Sequence, residues 1–181
     1  MPNADTNKQF DEVINECREI FIKKTKDYGT AWRVLRTISI ADQLYIKAQR
    51  IKNVQEKKQR LIDDDIPSEF IAIINYAVVG LIQLHLPEEA PEEMTAEEAT
   101  TLYDTQIEAA KKLMQNKNHD YSEAWREMSQ ESFVDLIQMK IQRIRQIVAN
   151  EGKTLISEGI DANYFDIINY AVFALVLLRQ Q

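Results

Sequence analysis

The segment DYGTAWR at residues 27–33 recurs as DYSEAWR at residues 120–126, which is 93 residues further along the chain. The same offset brings the residues that follow into register without a gap, matching Asp42 to Asp135, Lys47 to Lys140 and Arg50 to Arg143. Beyond residue 60 the offset grows by one, so that residues 73–78 fall on residues 167–172. Because each copy spans about 85 to 90 residues, the repeat indicates a duplicated domain rather than a solenoid of short units.

Apolar residues recur at three- and four-residue spacing in both copies, which is the periodicity of an amphipathic helix. The pattern predicts three main helices per copy: the first over about residues 6–25 and 95–116, the second from N-caps at Ser39 and Ser132, the third over about residues 68–86 and 162–179. Polar connections are expected at residues 57–67 and 150–163. We therefore expect an all-α helical bundle of two tandem pseudo-symmetric repeats, residues 1–87 and 95–181, joined by an acidic linker at residues 88–94.

The composition of the chain argues against several classes of function. A net charge of −7 argues against binding a nucleic acid polymer, although small phosphorylated ligands remain possible. The N-terminal residues lack the pattern of a signal peptide, the apolar stretch 164–178 is short for a membrane span, and the single cysteine, Cys17, fits a reducing compartment. These features predict a cytoplasmic protein that does not span a membrane, with Cys17 as a small buried hydrophobe.

Asp166 is the strongest anomaly, because an ionised carboxylate in an otherwise apolar helix costs several kcal/mol unless a partner compensates it. The candidate partners are a divalent cation, Lys140 or Arg143; a buried structural salt bridge or a hydrogen bond to a loop is the alternative. Asn169 lies on the same helix face, and it recurs as Asn75 in the first copy. These two amides are either ligand contacts or structural hydrogen bonds between helices.

The repeated loop carries an acid and a tryptophan in each copy: Asp27 with Trp32, and Asp120 with Trp125. The acids are either caps of a short helix or ligand contacts, and the tryptophans are either core anchors or base-stacking platforms. Since Gly29 is replaced by Ser122, we expect that the turn does not require a positive φ.

The second helices carry a repeated mixed face that holds an acid, an aliphatic residue and an arginine: Asp42, Ile46 and Arg50 in one copy, Asp135, Met139 and Arg143 in the other. The acids are either first-turn residues that stabilise the helix end or members of a site. Helical geometry places the arginines close enough to the acids to share a ligand, and the mixed character is more typical of a cleft or a subunit contact than of open solvent.

Residues 117–121, then Trp125, then Asp135 with Lys140 and Arg143, then residues 164–171 resemble the ordered motifs of the nucleotide modification associated domain 1 family in its tandem, two-copy form. The resemblance covers nearly the whole chain and implies a role in nucleotide or DNA-base modification. It also implies a helical pattern similar to that of all-α MazG-type nucleotide pyrophosphohydrolases, which hold Mg²⁺ with an E-x-x-E and an E-x-x-D pair. This chain departs from that pattern, since Asp135 is accompanied by Glu131 and the third helix offers Asp166.

The leading hypothesis is a protein that binds a nucleotide between helices and hydrolyses it, with Mg²⁺ held by Glu131, Asp135 and Asp166. Lys140 is the third predicted catalytic residue, beside Asp135 and Asp166. The further substrate contacts that we predict are Asp120, Tyr121, Trp125, Arg143 and Asn169, and in the first copy Asp27, Tyr28, Trp32, Asp42, Lys47, Arg50 and Asn75. Because the first copy has Ala72 in place of Asp166 and Ile38 in place of Glu131, the second copy is expected to be the better site.

Two alternatives remain. The first is a nucleotide-sensing module without catalytic activity, which the incomplete carboxylate set favours. The second is a structural or assembly protein whose repeated polar face forms a homodimer contact.

Overall fold

The computed structural model describes residues 2–57, 66–153 and 159–181, with side chains described from Asp5 onward. Its long helices are α1 (Pro2–Tyr28), α2 (Thr37–Lys57), α3 (Ile66–His85), α4 (Ala96–Tyr121), α5 (Gln130–Ala149) and α6 (Ile160–Leu178). A short 3₁₀ helix follows the first helix of each half, at Ala31–Val34 and at Ala124–Glu127. Within the described ranges every regular element is helical, which confirms the all-α prediction. Most of the two predicted polar connections lies outside the described residues.

The helices pair across a pseudo-twofold axis. α3 packs on α6, α2 on α5 and α1 on α4, so each helix of the first half contacts its own counterpart. α1 also contacts α6, and in the same way α4 contacts α3. The two halves therefore share one hydrophobic core.

α3 and α6 form the centre of the bundle. By length and composition each is apolar enough to cross a membrane, but 61% and 56% of their apolar windows are buried inside the bundle. Core helices of a bundle meet the same criteria, so these two helices alone are weak evidence for a membrane span.

Several predicted helix ends were wrong. α2 begins at Thr37 rather than after Ser39, and α5 is capped by Ser129, whose Oγ accepts the backbone N–H of Ser132 at 3.1 Å. In a Ser-x-x-Ser sequence either serine can be read as the cap, and the earlier one takes the role because the helix starts before Ser132. The predicted start of a helix near residue 95 is confirmed, since Thr95 caps α4 and its Oγ1 accepts the N–H of Glu98 at 3.1 Å.

The first helices are longer than predicted, because α1 continues to Tyr28 and α4 to Tyr121. Asp27 and Asp120 accordingly lie in the last turns of these helices with exposed side chains. Their interpretation as caps of the 3₁₀ helices was wrong.

The turn after each first helix adopts a positive φ, contrary to expectation. Gly29 has φ 66°, and Ser122 and Glu123 have φ 51° and 61°. A left-handed residue after a helix lets its N–H satisfy a helix carbonyl, and here Gly29 N and Ser122 N donate to Thr25 O and Asn118 O. The serine shows that the conformation is imposed by the fold at a cost in strain.

Replacing Ser122 by glycine should therefore raise the free energy of unfolding by about 1 kcal/mol, because glycine adopts the left-handed region without steric cost. The equivalent change in the opposite sense, Gly29→Ala, should lower it by a similar amount, since a Cβ there meets no atom within 4 Å and only the backbone conformation matters. Urea unfolding of the two variants checks the pair. If both substitutions change the free energy of unfolding in the same direction, this interpretation is wrong.

Arginines of the repeated loop anchor each 3₁₀ helix to a neighbouring segment. Arg33 donates to the carbonyls of Ala90 and Pro91 in the acidic connection at 3.0 and 3.2 Å. Arg126 donates to Thr6 and Gln9 at the start of α1 at 2.9 and 2.7 Å. These bonds position the two tryptophan-bearing helices over α3 and α6.

Candidate functional site

Two pockets of about 470 and 410 Å³ lie at equivalent places in the two halves. The first-half pocket lies between the end of α1, its 3₁₀ helix and α3; the second-half pocket lies between the end of α4, its 3₁₀ helix and α6. Ten pairs of equivalent positions line both, and six of these pairs hold the same residue type: Lys24 and Lys117, Tyr28 and Tyr121, Ala31 and Ala124, Trp32 and Trp125, Asn75 and Asn169, Tyr76 and Tyr170. The duplication has thus preserved the framework of a cavity as well as a fold.

Trp125 is an anchor of the second-half pocket. Its ring stacks on Phe173 at 4.2 Å with an interplanar angle of 6°, and the Arg126 guanidinium lies 4.4 Å from its centroid. Its Nε1 donates to Asn118 Oδ1 at 3.2 Å. By contrast Tyr121, at the rim, is 71% exposed. Of the two predicted stacking residues, Tyr121 is therefore the one with a ring available to a ligand.

Asp166 forms a buried ion-pair cluster in the wall of this pocket. Its Oδ2 lies 2.9 Å from Lys140 Nζ, and its Oδ1 accepts a 2.7 Å hydrogen bond from Lys117 Nζ. Lys140 was among the predicted partners, whereas Lys117 was missed because the first helix of this half was expected to end at residue 116. Arg143 is exposed and donates to Met139 Sδ at 3.9 Å.

The structure does not bring the three predicted metal ligands together. Glu131 and Asp135 are exposed on α5 and do not line the pocket that contains Asp166. In the described ranges no three His, Cys, Asp or Glu side chains are grouped so as to hold a metal ion. Both oxygens of Asp166 face ammonium groups, so a cation bound there would lie beside two positive charges. The residues as placed do not fit the predicted Mg²⁺ site.

In the first half the buried carboxylate of the third helix lies one helical turn earlier than in the second half. Glu69, rather than residue 72, carries the buried carboxylate of α3, and its Oε1 lies 2.6 Å from Arg50 while its Oε2 lies 3.9 Å from Lys47. Lys47 and Arg50 are thus held in this cluster and do not line the first-half pocket. Lys24, the equivalent of Lys117, is exposed at the pocket and makes no ion pair with a described residue.

Contacts between α2 and α5 cover part of the mixed face of the second helices. Asp42 pairs with Arg145 of α5 at 2.9 Å, and Gln138 donates to Gln49 at 3.1 Å. Asp42 therefore belongs to the contact between the halves and not to a pocket, whereas Asp135 stays exposed.

The two repeated asparagines form hydrogen bonds between helices, as the structural interpretation predicted. Nδ2 of Asn75 donates to Cys17 O at 3.1 Å, and Nδ2 of Asn169 donates to the equivalent carbonyl, Ala110 O, at 3.3 Å. Their Oδ1 atoms differ: Asn75 accepts a 2.7 Å bond from Tyr103, whereas Asn169 Oδ1 is buried without a partner. The residue equivalent to Tyr103 is Phe10, which has no hydroxyl.

Tyr103→Phe is expected to lower the free energy of unfolding by about 1–2 kcal/mol, because it leaves the buried Asn75 Oδ1 unsatisfied. Phe10→Tyr is the matched opposite change and should raise it by about 1 kcal/mol by supplying the missing donor to Asn169. Urea unfolding measures both. A loss of stability in Phe10→Tyr as large as that in Tyr103→Phe would show that the two environments are not equivalent.

Two further ionisable groups stay protonated. Burial, together with the charge of Asp166, raises the pKa of Tyr170, so its hydroxyl remains a donor at the second-half pocket at neutral pH. Burial raises the pKa of the Cys17 thiol to about 12, and the side chain is 0% exposed. Cys17 is therefore the buried hydrophobe that its position in the sequence predicts.

In a comparison with protein families, the model of nucleotide modification associated domain 1 matches residues 24–84 and 117–178. Each matched segment begins at a pocket lysine, Lys24 or Lys117, and continues past the last lining residue of its pocket. Neither the curated proteins nor the solved structures give a match. The predicted similarity to MazG-type enzymes stays a prediction.

Proposed function

The chain belongs to the nucleotide modification associated domain 1 family, and from this membership and the second-half pocket we propose that it is a nucleotide-binding protein of nucleotide or DNA-base modification metabolism. The observation that carries the proposal is the combination of an aromatic cavity with a cationic wall. The cavity contains Trp125, Tyr170 and Phe173, and its wall holds Lys117 and Lys140.

The size and chemistry of the pocket suit one nucleotide. A volume of about 410 Å³ is within the range of small-molecule sites. The exposed ring of Tyr121 stacks on the base, since a flat ring can cover it without displacing a protein contact. The phosphates lie towards Lys117, whose side chain is 50% exposed.

Lys117 is suited to bind the phosphate because Asp166 has a second partner. When Lys117 turns to a phosphate, Lys140, whose side chain is only 12% exposed, continues to neutralise the carboxylate. With two lysines and one aspartate, this wall keeps a net positive charge, although the whole chain is acidic.

Among the three predicted classes, binding without hydrolysis has the most support. A pyrophosphohydrolase needs several carboxylates around a cation, and here Asp166 is neutralised by lysines while Glu131 and Asp135 do not line the pocket. The protein accordingly acts as a nucleotide-sensing or nucleotide-holding module.

Tyr121→Ala tests the proposal at an exposed residue, where the cost to folding is small. It should weaken nucleotide binding in the second-half pocket by about tenfold, the loss expected for one base–aromatic stack. The chain has two tryptophans, one in each pocket, so the indole N–H resonance of Trp125 in ¹⁵N-tryptophan-labelled protein reports this pocket alone. Nucleoside mono-, di- and triphosphates are titrated with and without Mg²⁺.

The matched control is Tyr28→Ala, because Tyr28 is the equivalent residue of the other half and is 74% exposed. It should leave the Trp125 titration unchanged. No movement of the Trp125 resonance with any nucleotide would refute nucleotide binding in this pocket. Release of phosphate or pyrophosphate during the titration would refute the non-catalytic assignment.

A further inference from the structure

The first-half pocket differs from its counterpart in charge. Among the described residues that line it, Lys24 is the one charged residue, and Ala72 occupies the position of Asp166. Among the described residues of the pocket wall, no carboxylate lies opposite the ammonium group. A ligand that enters this pocket meets the positive charge of Lys24 at the rim and apolar walls formed by Phe21, Ile71 and Val79.

The first-half pocket also contains an unsatisfied donor. Nε1 of Trp32 is buried and has no hydrogen-bond partner in the described part of the chain, whereas Nε1 of Trp125 donates to Asn118. The difference follows from one residue, because Thr25 replaces Asn118 and donates its hydroxyl to Phe21 O at 2.8 Å. A buried N–H without an acceptor destabilises a protein, so a ligand that brings an acceptor to Trp32 gains a hydrogen bond at this wall.

The amides of the two pockets reinforce the contrast. In the first half the Tyr103 hydroxyl satisfies Asn75 Oδ1, so the polar group that lacks a partner is a donor, Trp32 Nε1. In the second half the indole is satisfied and the polar group that lacks a partner is an acceptor, Asn169 Oδ1. The indole N–H is therefore satisfied in the second-half pocket, whereas in the first-half pocket it has no acceptor among the described residues.

We propose that the first-half pocket is a second binding site with its own specificity, for a flat-ring anion whose ring carries a hydrogen-bond acceptor. The ring acceptor, a carbonyl oxygen or an unprotonated ring nitrogen, receives the N–H of Trp32. A phosphate or carboxylate group pairs with Lys24, and the 74% exposed Tyr28 covers the ring. The volume of about 470 Å³ accommodates such a compound.

This second site does not depend on nucleotide binding in the second-half pocket, because different residues carry it. The two tryptophans separate the two cases in one experiment: Trp32 Nε1–H reports the first-half pocket and Trp125 Nε1–H the second. The Trp32→Phe variant assigns the two resonances.

The probes are thymidine 5′-monophosphate, which has a ring carbonyl and a phosphate, thymidine, which lacks the phosphate, and phenyl phosphate, which lacks the ring acceptor. Thymidine 5′-monophosphate should move the Trp32 Nε1–H resonance downfield in a saturable manner, as expected when the proton gains an acceptor. Phenyl phosphate should bind about tenfold more weakly and produce no downfield shift, because it cannot accept this bond.

Lys24→Gln should weaken thymidine 5′-monophosphate binding in the first-half pocket by about tenfold and leave thymidine binding unchanged. The control is Lys23→Gln, since Lys23 is an exposed neighbour on α1 that does not line the pocket. A Trp32 resonance that no probe moves, or a Lys24→Gln variant that binds like the Lys23→Gln variant, would overturn the proposal. A response of Trp125 alone would overturn this site and leave the proposed function intact. A response of neither tryptophan, here and in the titration with nucleoside mono-, di- and triphosphates, would remove both.

Discussion

Gly80→Ala is expected to lower the free energy of unfolding by about 3 kcal/mol, although alanine is the better helix former. A Cβ at Gly80 would lie 2.4 Å from Cζ of Tyr164 and 2.7 and 2.8 Å from Cε2 and Cε1. Tyr164 is 0% exposed at the α3–α6 contact, so its ring has no space into which to withdraw. The added methyl group must push apart the two helices at the centre of the bundle.

Urea unfolding measures the loss, and a second substitution identifies its cause. Tyr164→Leu removes the ring atoms that would clash, so adding Gly80→Ala to a Tyr164→Leu background should cost less than about 1 kcal/mol. If Gly80→Ala is equally destabilising in both backgrounds, the close contact with Tyr164 is not the reason for the glycine.

Asp166→Ala is expected to destabilise the protein by about 3 kcal/mol or more, because it leaves Lys140 charged and largely buried without its carboxylate. Lys140 and Asp166 have side chains that are 12% and 11% exposed. The loss should appear in urea unfolding without any added metal. Millimolar Mg²⁺ should not stabilise the wild-type protein through this residue, since both carboxylate oxygens already face lysines.

The first half supplies a rescue for this variant. There the acid is Glu69, whose equivalent is Asn163, and the position equivalent to Asp166 is Ala72. The double variant Asp166→Ala/Asn163→Glu moves the acid of the second half to the position of Glu69. Its new carboxylate should pair with Lys140 and Arg143, as Glu69 does with Lys47 and Arg50, and recover most of the lost stability. A loss below about 1 kcal/mol for Asp166→Ala, or a Mg²⁺ stabilisation that Asp166→Ala abolishes, would contradict the ion-pair role.

The duplication and the helical class could be predicted from sequence, because the hydrophobic period and the offset of 93 residues are local and repeated signals. Lys117 could not be placed, since the end of α4 is set by a left-handed turn at Ser122 that favours glycine and gave no signal in this copy. Asn75 likewise receives its hydrogen bond from Tyr103 of the other half. Such contacts depend on how the two repeats cross, which neither repeat specifies alone.

For the candidate site, too, some residues could be predicted from the sequence and others could not. Asp166 and Asn169 could be predicted from their helical spacing, and Tyr121, Trp125 and Lys140 from the repeat. The structure places all five at the second-half pocket. Asp42 and Asp135 could not be separated from them by sequence, because an acid in a first turn has the same pattern whether it faces a cavity or a neighbouring helix. Which of the two an acid faces depends on how α2 and α5 are oriented about the pseudo-twofold axis. In this orientation Asp42 contacts Arg145.

The most direct test of nucleotide binding is a crystal structure of the wild-type protein grown with a non-hydrolysable nucleoside triphosphate and Mg²⁺. We predict a base against Tyr121 in the second-half pocket and phosphates at Lys117, with Asp166 still bound to Lys140. A nucleotide on the exposed face of Asp135 and Arg143, a cation bound directly to Asp166, or a second-half pocket without a nucleotide would contradict this account.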